Sequence, residues 1–186
     1  MSTPELYISV DVETSGPIPG EYSLLSFGAC VINQPTQTFY VELKPINHNF
    51  IHQALEVNGF SLEKLKATGT EPAQAMAQFS LWINKVSGDN RPVFVAFNAT
   101  FDWSFIHWYF IKFLNRNPFG ISGLDIKAYF MGKHRSSWSE TTKKKIRSLY
   151  PPKTPHTHNA LDDALEQAEI FASMLPTSSF CATLIS

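Results

Sequence analysis

Cysteine is scarce in this sequence, which has Cys30 and Cys181 as its two cysteines in 186 residues. Two are too few for a disulfide framework, and Cys30 lies in an apolar segment where a cysteine is expected to pack. Long apolar runs are also missing, because none approaches the roughly 20 residues that span a bilayer. Residues 1–5 have neither the basic flank nor the apolar stretch of a secretory signal. These absences predict a reduced, intracellular (cytoplasmic) protein with no membrane segment.

Net charge is also small, at −1, so overall charge gives no indication of a polyanionic partner. The distribution of charge is uneven, because residues 127–153 hold eight Lys and Arg against the single acid Glu140. This basic segment therefore carries a local charge of +7, and the rest of the chain carries −8. Two interpretations are open: a surface that contacts phosphates, or a solvated loop with a lysine-rich helix.

Hydrophobic residues, by contrast, are plentiful at 44%, and 15 of them are Phe. This composition excludes an intrinsically disordered chain. The length predicts a single domain, to which we assign residues 1–175, with 176–186 as a frayed tail.

Hydrophobic periodicity predicts a meander followed by alternating helices and strands. Three strands at 6–13, 24–32 and 38–43 are joined by short turns, which is typical of an antiparallel meander. The predicted elements that follow are short helices at 51–57 and 62–66, a helix from 70–72 to 86, a strand at 93–97, a helix at 101–114, a strand at 124–128, a short helix at 140–149 and a last helix at 160–174. This order predicts an α/β fold with a mixed five-stranded sheet and helices on its faces.

Two acids, Asp11 and Glu13, follow the first apolar strand segment. Residues i and i+2 of a strand point to the same face, so both carboxylates project side by side. Their repulsion and desolvation would be offset by a divalent cation. The alternative is a strand that has ended in a solvated turn, with both acids in water.

A third acid, Asp102, lies just after a strand and in the first turn of a predicted helix. This position opens onto the crevice at the carboxyl ends of the strands. The alternative is that the helix dipole alone favours an acid there.

The last helix brings a histidine and two adjacent acids, His158, Asp162 and Asp163. Asp162 stands three residues after the cap Asn159, so it is expected to be a capping partner. Asp163 is expected to face the sheet, because small residues flank it at helical spacing. His158 precedes the cap, and the alternative for it is an ordinary histidine of a surface loop.

Three motifs in this order resemble the DEDDh exonucleases, the His-containing branch of a superfamily that includes RNase T, oligoribonuclease and the proofreading subunit of DNA polymerase III. The motifs are Asp-x-Glu-Thr-Ser-Gly at 11–16, Asn-x-x-Phe-Asp at 98–102 and His-x-Ala-x-x-Asp-Ala at 158–164. The resemblance spans residues 7–174. Ser15 replaces a frequent Thr, and Phe97 stands where a polar residue or His is frequent; both positions lie outside the expected ligands.

The resemblance implies a ribonuclease H-like fold and a metal-dependent enzyme that removes 5′-nucleoside monophosphates from the 3′ end of single-stranded nucleic acid. It implies two cations, Mg²⁺ or Mn²⁺, held by residues matching Asp11, Glu13, Asp102 and Asp163. His158 matches the general base. Two ions of this kind can activate a water and stabilise the leaving oxygen, and hard cations prefer oxygen ligands.

Contacts with the substrate are expected around these residues. The set consists of the backbone of Thr14, Ser15 and Gly16, then Asn98, then Phe101 or Phe105 as a stacking ring, and Lys143, Lys144 and Lys145 along the strand. DNA and RNA 3′ ends are not distinguished by the sequence.

Other interpretations stay open at this point. One is an oligoribonuclease-like enzyme for very short RNA, and another is a non-catalytic nucleic-acid-binding or polymerase-associated module. A polymerase or repair partner is also open, and the apolar helix 101–113 is compatible with deep burial or with a homodimer contact.

Overall fold

The computed structural model describes residues 3–155 and 157–176. Its strands are β1 (Glu5–Thr14), β2 (Leu24–Val31), β3 (Gln34–Glu42), β4 (Arg91–Ala96) and β5 (Gly123–Asp125). Its α-helices are α1 (His52–Asn58), α2 (Leu62–Thr68), α3 (Pro72–Ser87), α4 (Ala99–Leu114), α5 (Ile126–His134), α6 (Lys143–Leu149) and α7 (Ala160–Met174). The tail predicted at 176–186 lies outside the described residues, apart from Pro176, and stays a prediction.

The sheet has the strand order β3-β2-β1-β4-β5. β1 pairs with β2 and β2 with β3 in antiparallel fashion, whereas β4 runs parallel to both β1 and β5. This arrangement confirms the predicted mixed five-stranded sheet. Because β1, β4 and β5 are parallel, their carboxyl ends meet at one edge, where residues that follow these strands come together.

Helices cover both faces of the sheet, as predicted. On one face, α3 and α4 pack Phe79, Phe105 and Tyr109 against the sheet in the larger core. On the other face, α5, α6 and α7 contribute Phe130, Ile146 and Phe171 to a second core. The apolar helix α4 therefore buries one face within its own chain, and its other positions are partly or fully exposed. Within the described residues, no helix is long and apolar enough to cross a bilayer.

The start of α7 approaches the sheet unusually closely. A Cβ atom at Gly28 of β2 would overlap the backbone of Ala160 and Leu161. Ala160 and Ala164 are fully buried at this contact, as their small side chains allow. This close packing brings the first turn of α7, and Asp163 with it, against the end of β1.

The prediction was wrong in part between residues 123 and 149. The strand expected at 124–128 ends at Asp125, because the Asp125 carboxylate accepts the Ala128 amide hydrogen and starts α5. Helix α5 was missed altogether. The helix expected at 140–149 begins at Lys143, after a separate 3₁₀ turn at Trp138–Glu140 that Ser137 and Glu140 cap reciprocally.

Candidate active site

Four carboxylates from three elements meet at the carboxyl edge of the sheet. Asp11 and Glu13 lie on β1, Asp102 in the first turn of α4 and Asp163 in the first turn of α7. The Val12 amide donates to Asp102 Oδ1 at 3.1 Å, which joins α4 to β1 between the two strand acids. The structure therefore brings all four predicted ligands into one cluster.

Burial and mutual repulsion raise the pKa of three of these acids. Burial, followed by the charges of Asp102, Glu13 and Asp163, raises the pKa of Asp11 well above its ordinary value. Burial and then Asp163 raise the pKa of Glu13 to about 7. Burial also raises the pKa of Asp102 to about 8, although two amide hydrogen bonds oppose the rise. The cluster is therefore hard to ionise without a compensating positive charge.

The donor set fits hard divalent cations. Glu13, His158 and Asp163 each offer a ligand atom, and these atoms lie within 4.8 Å of one another. The other donors are the carboxylate oxygens of Asp11 and Asp102. Oxygen ligands favour Mg²⁺ or Mn²⁺, and a cation would offset the repulsion that raises the pKa values of the cluster.

His158 stands on an exposed loop immediately before α7. Its backbone is left-handed, with φ of 58°. The neighbouring Thr157 amide donates to Asp163 Oδ1 at 3.1 Å, which ties this loop to the carboxylate cluster. Asn159 caps α7 as predicted, because its Oδ1 accepts the Leu161 and Asp162 amides.

The two adjacent acids of α7 have different surroundings. Asp163 is 2% exposed and faces the cluster, as expected from its spacing. Asp162 is partly exposed, and its Oδ2 accepts the Thr157 hydroxyl at 2.8 Å. The observed partner of Asp162 is therefore the Thr157 side chain of the preceding loop, whereas its spacing from Asn159 predicted a role in capping the helix start.

Gln167 is a site residue that the sequence analysis missed. It is buried one turn beyond Asp163, donates from Nε2 to Asp11 Oδ1 and accepts the Phe97 amide at Oε1 at 2.7 Å. Gln167 thereby fixes the Asp11 carboxylate and joins the ends of β1 and β4. The i+4 spacing from Asp163 was the available signal, because it places both side chains on one helix face.

Two further polar side chains support the cluster and were also missed. Asp125 Oδ2 accepts the Ala99 amide at 2.6 Å, which fixes the start of α4 and with it Asp102. Asn58 Nδ2 donates to the Thr14 carbonyl at 3.0 Å, and a hydrogen bond from Asn58 lowers the otherwise raised pKa of Glu13.

The model of the RNase T family, which is described as an exonuclease family, matches residues 8–171. This chain belongs to the RNase T exonuclease family. The 3′-5′ DNA exonuclease Cap18 of Escherichia coli is 53% identical over 168 residues, which cover 90% of each protein. The chain is accordingly a metal-dependent 3′-5′ exonuclease, as its motifs predicted.

Solved structures agree with the fold of this exonuclease family. The nuclease domain of 3′hExo, a DEDDh family member bound to rAMP, has a TM-score of 0.72 at 13% identity, covering 91% of this chain and 90% of that domain. Pop2p of S. pombe, in a form with bound Mg²⁺ and Mn²⁺, has a TM-score of 0.67 at 15% identity, covering 92% of this chain and 82% of that one. These similarities confirm the ribonuclease H-like architecture.

A cavity of about 390 Å³ opens beside the carboxylates of the exonuclease. Its lining includes Glu13, Thr14, Gly16, Asn58 and Phe101, with Ile51, Ala54 and Val57 supplying an apolar wall. Phe101 is partly exposed to this space, whereas Phe105 is fully buried in the core and is excluded as a stacking ring.

The other residues that were expected to contact the substrate differ in which of their hydrogen-bonding groups are already used within the protein. Ser15 is fully buried; its amide donates to the Ser23 carbonyl and its hydroxyl to the Asn49 carbonyl, so both are already used. Thr14 Oγ1 donates to the Gly16 carbonyl at 2.9 Å. Asn98 is exposed at the start of α4 with φ of 67° and makes no side-chain cap there.

The three lysines at the start of α6 also separate into two groups. Lys143 Nζ lies 2.9 Å from Glu166 of α7, a carboxylate with no solvent exposure, and Arg147 Nη1 lies 3.0 Å from the other oxygen of Glu166. Lys143 also lies close enough to Asp11 to lower the raised pKa of that acid. Lys144 and Lys145 are exposed.

Proposed function

We propose that this exonuclease shortens single-stranded DNA from its 3′ end and releases 5′-nucleoside monophosphates, with two divalent cations and His158 as general base. The observation that carries the proposal is the convergence of four carboxylates, with His158 within 4.8 Å of Glu13 and Asp163 ligand atoms. DNA is the proposed polymer because the relative that is 53% identical is described as a DNA exonuclease.

In this mechanism, Asp11, Glu13, Asp102 and Asp163 would hold two Mg²⁺ or Mn²⁺ ions. When bound, the ions supply positive charge that activates a water and stabilises the scissile phosphate and the departing 3′ oxygen. An imidazole can accept a proton near neutral pH, so His158 takes the proton of the attacking water at a ring nitrogen. Gln167 fixes the orientation of Asp11 during this step.

The terminal nucleoside is proposed to occupy the cavity beside the carboxylates, with its base against Phe101. The volume of about 390 Å³ suits one unpaired nucleoside. Stacking on an aromatic ring contributes roughly 1–3 kcal/mol per base in single-strand sites and depends little on base identity. An exonuclease that removes successive nucleotides needs this tolerance.

The upstream strand is proposed to follow the basic segment. Lys144 and Lys145 are exposed there, and Lys127 Nζ lies 4.2 Å above the ring of Trp138, which is 53% exposed. Cations beside an exposed aromatic ring suit a flexible backbone with unpaired bases. Lys127 lies two residues beyond Asp125, whose carboxylate accepts a hydrogen bond from the start of α4. The basic segment therefore lies next to the edge of the sheet that carries the carboxylate cluster.

The test is hydrolysis of 5′-labelled single-stranded and duplex DNA and RNA of graded length with Mg²⁺. We expect a ladder shortened from the 3′ end of single-stranded DNA, mononucleotide products, and no cleavage in EDTA. His158→Ala is expected to be about 10²–10⁴-fold slower with similar substrate affinity. Asp163→Asn is expected to be inactive, and Asp162→Asn is the matched control with near-normal activity.

Three results would contradict the proposal in different ways. Cleavage of a circular strand would indicate an endonuclease. Hydrolysis confined to RNA dinucleotides would favour the oligoribonuclease-like alternative. An active Asp163→Asn variant with an inactive Asp162→Asn variant would reverse the roles of the two acids.

A further inference from the structure

A second, larger cavity lies farther along α4 from the carboxylates. Its volume is about 770 Å³, about twice that of the cavity at the active site. Its lining, which defines what we call the α4 cavity, consists of Gly20, Lys44, Pro45, Ile46, Asn47, Lys66, Glu71, Pro72, Trp108, Lys112 and Phe113. On α4 the nearest lining residues of the two cavities, Phe101 and Trp108, are seven residues apart, which corresponds to roughly 10 Å along the helix axis.

Positive charge predominates around the α4 cavity. Lys44, Lys66 and Lys112 line it, and the one lining acid, Glu71, pairs with Lys44 at 2.7 Å. Within the described residues, neither Lys66 nor Lys112 has a carboxylate within ion-pair distance. The three lysines come from three separate parts of the chain, so their convergence on one concave surface favours an anionic ligand.

An aromatic wall faces these cations. Trp108 and Phe113 of α4 meet edge to face, with ring centroids 6.3 Å apart and an interplanar angle of 81°, and both are partly exposed. The indole of Trp108 is held in place by Gly20, where a Cβ would come within 2.8 Å of Cζ2. The Trp108 indole, packed against Gly20 and edged by Phe113, is therefore the ring of this wall on which a planar base can stack.

We infer that the α4 cavity binds a nucleotide, with its base against Trp108 and its phosphate between Lys66 and Lys112. A planar ring joined to a compact anion matches an aromatic wall with adjacent unpaired cations, and the volume lies in the range of small-ligand sites. The inference does not depend on the proposed function, because the lining shares no residue with the carboxylate cluster. The nucleotide can come from solution or from a polynucleotide strand.

A smaller cavity beside the α4 cavity supports the case in which the nucleotide belongs to a polynucleotide strand. It has a volume of about 460 Å³ and shares Trp108 and Lys112 with the α4 cavity, while Ser104 extends its lining toward Phe101. Gly20 lines the α4 cavity and Pro19 the smaller one, and Gly16 and Pro17 of the same loop line the cavity at the active site. One face of α4 and one loop thus connect the two sites.

The test is calorimetric titration of the full chain with deoxyadenosine monophosphate in EDTA, which removes any cation that could hold a phosphate at the carboxylates. We expect saturable binding of one nucleotide per chain. The double variant Lys66→Gln/Lys112→Gln is expected to bind at least about tenfold more weakly, because each lysine contributes a charge-assisted contact. Lys64→Gln/Lys85→Gln removes the same charge from exposed positions outside the cavity and is the matched control.

Several outcomes would overturn the inference. These are no binding to the wild type, equal affinity of the two double variants, or deoxyribose 5-phosphate binding as tightly as the nucleotide. Competition by polyglutamate as strong as that by the nucleotide would instead indicate an acidic protein partner. Trp108→Leu, checked for folding by its unfolding midpoint, should weaken nucleotide binding but leave deoxyribose phosphate affinity unchanged.

An oligonucleotide titration in the same buffer separates the two sources. If the lysine double variant loses affinity for a twelve-residue oligothymidylate as well as for the mononucleotide, the site serves a strand. If it loses affinity for the mononucleotide alone, the site serves a nucleotide from solution.

Discussion

Replacing Asp102 with Asn is expected to stabilise the metal-free protein at alkaline pH while abolishing exonuclease activity. Asp102 is 5% exposed and lies among other carboxylates, so its ionised form is disfavoured when no cation is present. Asn has nearly the same shape, and its Oδ1 can still accept the Val12 amide. The substitution therefore removes the charge with little change in packing.

The direction of the pH effect follows from proton binding. The pKa of Asp102 rises from 3.8 to about 8 in the folded chain, so the folded state binds more protons than the unfolded state between these values. The stability that the raised pKa of Asp102 contributes to the folded protein is fully present below about pH 4 and is lost as the pH rises to about 8. One pKa unit corresponds to about 1.4 kcal/mol, so between pH 5 and 8 the stability advantage of Asp102→Asn should grow by about 3–4 kcal/mol.

Urea unfolding at pH 5 and pH 8, in EDTA and in Mg²⁺, measures this effect for the wild type, Asp102→Asn and Asp162→Asn. Mg²⁺ is expected to stabilise the wild type most at pH 8 and to reduce the advantage of Asp102→Asn, because a cation binds the folded cluster. Asp162→Asn should show no pH-dependent advantage. An Asp102→Asn advantage that is the same at both pH values, or a wild type indifferent to Mg²⁺, would refute the reasoning.

Three other predictions concern the residues around the cluster. Gln167→Leu leaves the Phe97 amide without its acceptor, so we expect the free energy of unfolding to fall by about 1–3 kcal/mol in urea titration and kcat to fall more than KM rises. Unchanged values would contradict the bridging role. Glu166→Gln weakens two ion pairs, so amide hydrogen exchange in α6 should accelerate while exchange in α3 stays constant. Lys144→Gln/Lys145→Gln should reduce the slope of log affinity for single-stranded DNA against log salt concentration by up to about 1.4. A slope equal to that of Lys64→Gln/Lys85→Gln would show that neither Lys144 nor Lys145 contacts a phosphate.

The sheet was predictable from short-range rules, whereas the carboxylate cluster also needed the resemblance of three motifs to the DEDDh exonucleases, because each acid taken alone left an alternative open. β-branched residues indicate β1, a largely apolar run buried on both faces indicates β2, and parallel strands bring their carboxyl ends to one edge. Asn159 and the spacing of small residues then oriented α7 correctly, with Asp163 inward. These inferences about the strands and about α7 need only the local sequence and one rule about where neighbouring strand ends lie, whereas the ligand set rests on the family resemblance.

The supporting residues were not predictable in the same way. Gln167 and Asp11 are 156 positions apart, and no local pattern states that one will bind the other. The error at β5 has a different cause, since a strand of three residues is too short to show alternation. Asp125 there ends the strand, caps α5 and binds the start of α4, and only the assembled fold combines these contacts.

The basic segment illustrates how one charge pattern can have two physical outcomes. Glu166 is fully buried, and a buried carboxylate is tolerated only with charged partners. Lys143 and Arg147 are four residues apart, so they lie on one face of α6 and both reach Glu166. Lys144 and Lys145 consequently point away from α7 and stay exposed. Lys143 and Arg147 therefore fit neither interpretation left open by the sequence, because they hold α6 against α7. The choice between solvated lysines and phosphate contacts remains for the outward pair.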